Sequence, residues 1–108
     1  MAHDEQLIEA VWQQARALPD ADDTVWRCDQ CGAWMYRDHL DSAESEFGWK
    51  ILRVAPGSGH DAADLAAFHR DNDFDIGNGE PRCRVTADPS ATQTAPGRER
   101  IEPSNTGV

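Results

Sequence analysis

Three cysteines in a chain of 108 residues, two of them spaced as Cys28-x-x-Cys31 and followed by Gly32, constrain the fold most. An odd number of cysteines does not form a complete disulfide framework, and Cys-x-x-Cys-Gly on a tight turn is the shape of a zinc knuckle. Glycine permits the positive φ that such a bend needs. The candidate ligands of one structural zinc are Cys28, Cys31 and Cys83, with a fourth from His39, His60 or His69. The alternative is that Cys31 and Cys83 are small buried hydrophobic residues.

The length supports one small domain, and 39% hydrophobic residues with four tryptophans are enough for a compact core. Apolar residues recur at three- and four-residue spacing over residues 4–18, which predicts an amphipathic helix. Residues 25–36 predict a hairpin that bends at the cysteine pair, and residues 47–54 predict a strand. A second helix is expected over 61–71, with Asp61 as its N-cap. A last short strand is expected over 82–86.

The composition changes after residue 87 to Pro, Ser, Thr, Gly and Arg. This pattern predicts a single domain over residues 1–87 and a disordered tail over residues 88–108. No apolar run approaches the roughly 18 residues that a membrane span needs. The first residues lack the basic and apolar regions of a signal peptide, so a cytoplasmic location is expected.

Acidic residues outnumber basic ones by 20 to 10, so the formal net charge is −10, and Lys50 is the only lysine. A protein that binds a phosphate backbone needs Lys and Arg to displace counterions, so this composition argues against a sequence-independent DNA binder, although it does not forbid a local basic groove. Nine of the ten net negative charges belong to residues 1–87, which places the acidity on the folded part. An acidic surface of this kind suits a basic partner, and the plainer alternative is a merely soluble surface.

A series of short motifs, in order, resembles a family of small bacterial HNH endonucleases. The resemblance covers about residues 10–87 and is carried by Val11-Trp12, Trp26-Arg27, Cys31-Gly32-Ala33-Trp34-Met35, Ser45-x-Phe47-Gly48-Trp49-x-Ile51, Val54-x-Pro56, Asp64-Leu65, His69, Asn72, Gly79 and Cys83-x-Val85-Thr86. It implies an α+β fold with a ββα-metal, treble-clef-like core, in which a β-hairpin and a helix hold one divalent metal over the scissile phosphate. The predicted N-terminal helix and C-terminal tail would flank this core.

The positions that carry chemistry in the resembled family are degenerate in this chain. Where the family has an Asp-His pair, this chain has Leu52 and Arg53, and a guanidinium neither binds a metal nor takes a proton at neutral pH. The asparagine that orients the base corresponds to Asp64, and the final metal ligand corresponds to Asp73. A lysine of the family corresponds to Ile76. Loss of a general base alone typically costs roughly 10²- to 10⁴-fold in rate, so the resemblance implies an inactive protein.

Nine acidic residues form the predicted partner-binding surface. They are Asp38, Asp41, Glu44, Glu46, Asp61, Asp64, Asp71, Asp73 and Asp75. Carboxylates held on a rigid scaffold imitate the charge pattern of a nucleic-acid backbone, so the leading hypothesis is an acidic mimic. It would inhibit a protein with a basic nucleic-acid-binding surface, such as a CRISPR effector or a restriction nuclease, without contacting nucleic acid or membrane itself.

Two alternatives belong to other functional classes. One is a divergent metal-dependent endonuclease in which His60 or His69 acts with nearby aspartates. The other is a zinc-knuckle module that binds a protein without imitating DNA.

Overall fold

The computed structural model describes residues 5–18, 21–56, 61–87 and 103–108. The helix and strands, in chain order, are α1 (Glu5–Gln14), β1 (Trp26–Cys28), β2 (Trp34–Tyr36), β3 (Trp49–Arg53), β4 (Leu65–His69), β5 (Asp73–Asp75), β6 (Glu80–Arg82), β7 (Val85–Ala87) and β8 (Asn105–Gly107). Two short 3-10 turns cover Arg37–His39 and Ala62–Asp64. The strands form four separate antiparallel pairs, β1–β2, β3–β4, β5–β6 and β7–β8. The class is therefore α+β, as predicted.

The α1 helix packs against the hydrophobic core. Its spacing places Ile8, Val11 and Trp12 on one buried face, as the periodicity predicts. The Trp12 ring meets the Trp49 ring of β3 at 5.1 Å between centroids. The helix ends earlier than predicted, at Gln14, and the chain then continues extended. Within the described residues, no helix has the length and apolar character to cross a membrane.

The β1–β2 hairpin confirms the turn predicted at the cysteine pair. Trp26 lies opposite Tyr36, and Cys28 lies opposite Trp34. Gly32 has a φ of +85°, which explains why glycine is needed there. The strand expected over residues 47–54 is also confirmed, as β3.

The helix predicted over residues 61–71 is wrong. After the 3-10 turn at Ala62–Asp64, the chain forms β4, which pairs with β3 from Trp49 opposite His69 to Arg53 opposite Leu65. The Ala-rich sequence has a good intrinsic helix propensity, but pairing with β3 overrides a preference worth only tenths of a kcal/mol per residue. A further antiparallel pair, β5–β6, follows β4.

The C-terminal segment differs from the predicted disordered tail. Residues 103–108 are ordered, and Asn105–Gly107 pairs with Val85–Ala87 as β8 with β7. The strand expected over 82–86 is divided, since β6 ends at Arg82 and β7 begins at Val85. The remainder of the predicted tail, residues 88–102, lies outside the described residues, as does the loop 57–60 that contains His60.

Candidate functional site

The cysteines form a disulfide between Cys31 and Cys83. It joins the β1–β2 turn to the chain just before β7, with a Cα–Cα distance of 5.5 Å. Cys28 is a free thiol that is only 3% exposed, and burial, together with the negative charge of Asp29, raises its pKa to about 12. A disulfide sulfur is not a thiolate ligand, so the prediction that these three cysteines hold zinc is wrong for this structure. Disulfides are rare in cytosolic proteins, so the cytoplasmic location stays a prediction.

The residues that the resemblance assigns to HNH active-site positions do not converge on a metal site in the part of the chain that the structure describes. Leu52 and Arg53 lie at the end of β3, and the Arg53 Nε donates to the Ala55 carbonyl at 3.1 Å. Its Nη2 atom is buried and has no hydrogen-bond partner among the residues that the structure describes. Asp73 pairs with Lys50, at 3.1 Å. Over the described ranges, no group of three or more His, Cys, Asp or Glu side chains is placed to hold a cation. A catalytic metal therefore does not fit the residues that stand at these positions.

His69 is a structural residue of β4. Its side chain is 2% exposed, Nε2 lies 2.6 Å from the Glu46 carbonyl, and Nδ1 accepts from the Asp71 amide at 3.1 Å. This pattern assigns the proton to Nε2. With both ring nitrogens engaged, His69 has no free nitrogen for a substrate water. His60, the other histidine of the endonuclease alternative, lies outside the described residues.

The predicted acidic surface is not one cluster in the structure. Its C-terminal members carry their own counterions: Asp73 pairs with Lys50, and Asp75 with Arg82 at 2.9 Å. Hydrogen bonds from Arg82 and then from Asn78 hold the pKa of Asp75 below its ordinary value of 3.8. Asp71 lies 3.9 Å from the Arg70 guanidinium. This part of the surface is therefore largely neutralised. Asp61 precedes the second 3-10 turn, and Asp64 is the last residue of that turn.

The other part, which we call the acidic loop, consists of residues 38–46 between β2 and β3. Its four acidic side chains are exposed, and within the described ranges none forms an ion pair: Asp38, Asp41, Glu44 and Glu46. The adjacent Arg37 pairs with Glu5 of α1, at 2.9 Å. The acidic loop thus carries four exposed carboxylates that form no ion pair with any described residue.

Hydrogen bonds from both main chain and side chains anchor the acidic loop. The Asp41 amide donates to the Trp49 carbonyl at 2.7 Å, and the Arg70 guanidinium donates to the Ala43 carbonyl at 2.9 Å. His39 Nδ1 lies 2.6 Å from the Ser45 hydroxyl. Gly48 closes the base of the loop, because a Cβ at this position would collide with the Ser42 carbonyl. The four carboxylates are therefore exposed on a backbone that these hydrogen bonds anchor, and such anchoring lowers the entropy cost of binding.

Half-buried aromatic rings lie beside the acidic loop. The sequence predicts all four tryptophans to be core residues, and Trp12, Trp34 and Trp49 are fully buried. Trp26 is only half-buried and makes edge-to-face contacts, with centroids 4.9 Å from both Tyr36 and Phe47. The Tyr36 ring in turn contacts His39 of the acidic loop, at 4.7 Å. Amphipathic aromatic side chains of this kind are enriched at protein interfaces.

Sequence reasoning missed the buried carboxylate of Asp29, which organises this end of the molecule. It lies inside the Cys-x-x-Cys turn and is 3% exposed. Its Oδ1 accepts from the amides of Cys31 and Ala33, and its Oδ2 accepts from the His69 amide and the Asn72 side chain, all at 2.8–2.9 Å. The four bonds satisfy the carboxylate without a cation. The only hint in the sequence is the position of Asp29 between Cys28 and Cys31, inside a predicted tight turn.

Comparison with protein-family models, with curated proteins and with solved structures finds no match for this chain.

Proposed function

We propose that this protein is a catalytically inactive, HNH-related binding protein whose acidic loop occupies a basic nucleic-acid-binding surface of another protein. The observation that carries the proposal is the contrast within the acidic residues. Asp73 and Asp75 are compensated by Lys50 and Arg82, whereas the acidic loop is exposed, uncompensated and anchored. A charge that the chain leaves unpaired is available to a partner's Arg and Lys side chains.

The residues at the HNH-like positions support an inactive protein. This support comes from the residue types at these positions and not from the fold, since β4 pairs with β3 where the resemblance implies a helix. Arg53 stands at the position of the general base, and it is engaged with the main chain. His69 is buried with both nitrogens engaged. The proposed activity is therefore competition with nucleic acid, and the proposed target class is a nuclease complex such as a CRISPR effector or a restriction enzyme.

A pair of matched double variants tests the proposal. Glu44→Gln with Glu46→Gln removes two charges from the acidic loop, and Glu9→Gln with Glu80→Gln removes two equally exposed charges elsewhere. The assay follows displacement of labelled duplex DNA from a purified RNA-guided nuclease complex, and from a restriction enzyme in parallel. We expect the loop variant to lose about tenfold or more in inhibition and the control variant to lose less than about twofold.

Salt provides a second criterion. Inhibition through surface charges weakens as the Debye length falls from about 10 Å at 0.1 M to about 3 Å at 1 M salt. Inhibition that does not change with salt, or an equal loss in both double variants, would contradict nucleic-acid mimicry by the acidic loop.

The endonuclease alternative is tested on plasmid DNA with Mg²⁺, Mn²⁺ or Ni²⁺. Our proposal expects neither nicking nor a mobility shift. Nicking that EDTA abolishes would support the endonuclease alternative. Because both ring nitrogens of His69 are engaged in hydrogen bonds, His60 would then be the residue to substitute.

A further inference from the structure

A cleft of about 310 Å³ lies between the outer edge of β4, the end of α1 and the turn after β1. It shares no residue with the acidic loop. Small apolar side chains form part of its wall, namely Ala15, Ala63, Ala66 and Ala67. Arg16 and the buried Asp29 also line the cleft. A cleft of this size holds only a few small residues.

The β4 edge presents unpaired main-chain groups to this cleft. In the β3–β4 ladder the Arg70 amide bonds to the Gly48 carbonyl and the Val54 amide to the Asp64 carbonyl, both at 2.9 Å. Even-numbered residues of β4 therefore bond to β3, and the odd-numbered ones direct their amides and carbonyls outward. Ala67 is one of the latter. In the part of the chain that the structure describes, nothing bonds to its amide or carbonyl, although the residue is only 4% exposed.

Buried, unpaired main-chain groups are rare, because each one costs the free energy of a lost hydrogen bond. The open stretch is also short. At one end the outward amide of His69 is taken by the Asp29 carboxylate, at 2.9 Å. At the other end the Leu65 amide bonds to the Ala62 carbonyl. What stays open is the Leu65 carbonyl with the amide and carbonyl of Ala67. These groups match about two to three residues of an added strand, so a chain end fits better than a continuous segment.

Arg16 supplies the charge of the cleft. Its main chain bonds to Cys28 in both directions, which fixes the position of the residue at the wall. Its guanidinium is close enough to Cys28 to lower the pKa of that thiol, against the larger effect of burial. In the described ranges it forms no ion pair. Arginine binds carboxylates through two parallel hydrogen bonds, so this free cation suits an anionic chain end.

We propose that the cleft binds the C-terminus of an extended peptide with small side chains. The peptide pairs with Ala67 as an added strand, and its terminal carboxylate binds Arg16. This second site goes beyond the proposed function, because it takes an anionic chain end, whereas the acidic loop takes a basic surface.

The test is a titration of the isotope-labelled full chain, followed by the amide resonances, with N-acetyl-trialanine as the probe. Two forms of the peptide, the free acid and the C-terminal amide, are each titrated to a concentration of about 10 mM, and their affinities are compared. We expect saturable shifts centred on Ala67 and Arg16, and about tenfold weaker binding of the amide. In Arg16→Gln the dissociation constants of the acid and the amide should differ by less than about twofold. In Arg84→Gln, at an exposed arginine outside the cleft, the difference between the two dissociation constants should be the same as in the unmodified chain.

A further variant fills the cleft without touching the core. Ala63 is exposed at its wall, so Ala63→Phe should abolish the shift at Ala67 while the dispersion of the other amides shows an intact fold. Absence of a saturable shift at Ala67, or equal binding of the acid and the amide by the unmodified chain, would overturn the proposal. Both results are independent of inhibition by the acidic loop, so either proposal can fail alone.

Discussion

The side-chain amide of Asn72 donates to the buried carboxylate of Asp29 at 2.8 Å, across 43 residues of chain. The same amide group also spans one residue of β7: Nδ2 donates to the Val85 carbonyl at 3.0 Å, and Oδ1 accepts the Val85 amide at 3.0 Å. Asn72 thus acts as one rung of a strand ladder. Through these bonds Asp29 and Asn72 connect the β1–β2 turn, the end of β4 and β7.

Asn72→Asp should strongly destabilise the fold. The substitution removes the donor to Asp29 and to the Val85 carbonyl, and it places a second carboxylate beside a buried one. We expect a loss of about 3–5 kcal/mol in the free energy of unfolding, measured by urea denaturation with tryptophan fluorescence. Gln6→Glu makes the same amide-to-acid change at an exposed site and should cost less than about 0.5 kcal/mol. Equal effects would contradict the network.

Replacement by methionine should destabilise the fold much more at Arg27 than at Arg53. Arg27 is 6% exposed, and its guanidinium donates to the carbonyls of Asp23, Gln13 and Ala15, where the chain leaves α1. Arg27→Met should cost about 2–4 kcal/mol, because buried carbonyls lose charged donors. Arg53→Met removes a buried, unpartnered Nη2 and should change stability by less than about 1 kcal/mol. A large loss at Arg53 measured by urea denaturation would show an interaction that the structure lacks.

Thiol titration should find one free cysteine. The native chain should not react with a thiol reagent at about pH 8, since Cys28 is buried and its pKa is raised to about 12. The unfolded chain should show one thiol without reductant and three after reduction, because Cys31 and Cys83 are joined. If three thiols react without reductant and a chelator releases zinc from the protein, the result would contradict the disulfide and support the predicted zinc knuckle.

The ion pair of Asp75 with Arg82 should appear in an acid titration. Hydrogen bonds from Arg82 and Asn78 lower the pKa of Asp75 in the folded state. Because the pKa of Asp75 is lower in the folded state than in the unfolded state, the ionised carboxylate stabilises the fold. This stabilisation is fully present above the pKa of the unfolded state, and it is lost as the pH falls through the pKa of the folded state. Carboxyl NMR should place the midpoint below 3.8, and Arg82→Gln should raise it. A midpoint at or above 3.8 in the unmodified chain would contradict the pair.

The C-terminal strand should depend on Asn105. Its side chain accepts the Trp34 amide at 2.8 Å and donates to the Trp34 carbonyl at 3.1 Å, so it extends the β1–β2 hairpin by one rung. Asn105→Ala should cost about 1–3 kcal/mol and speed hydrogen exchange at the Trp34 amide. Thr106→Ala, at the exposed next residue of β8, is the matched control and should leave that exchange rate unchanged. Unchanged exchange in both variants would show that β8 does not protect Trp34.

Elements with a strong local pattern could be predicted from the sequence. The spacing of Val11 and Trp12 identified the buried face of α1, because a helix repeats every 3.6 residues whatever it packs against. The positive φ of Gly32 followed from a tight turn between two short apolar runs. The strand nature of residues 49–53 followed from alternation of apolar and polar side chains.

The candidate site could be predicted only in part. The acidic residues of the loop 38–46 are visible in the sequence, but whether a carboxylate has a counterion depends on residues far along the chain. Asp73 is compensated by Lys50, which lies 23 positions earlier. The distinction between the paired acids and the acidic loop therefore needed the structure.

By itself, the sequence determined an α+β class, an N-terminal amphipathic helix, a hairpin at the cysteine pair and an acidic surface. Only the tertiary structure decided that residues 65–69 form a strand, that Cys31 bonds to Cys83 and that Asp29 is buried among four donors. The physical reason is the range of the interactions. Helix periodicity and turn chemistry act over a few residues, whereas strand pairing, a disulfide spanning 52 positions and the burial of a carboxylate depend on groups that folding alone brings together.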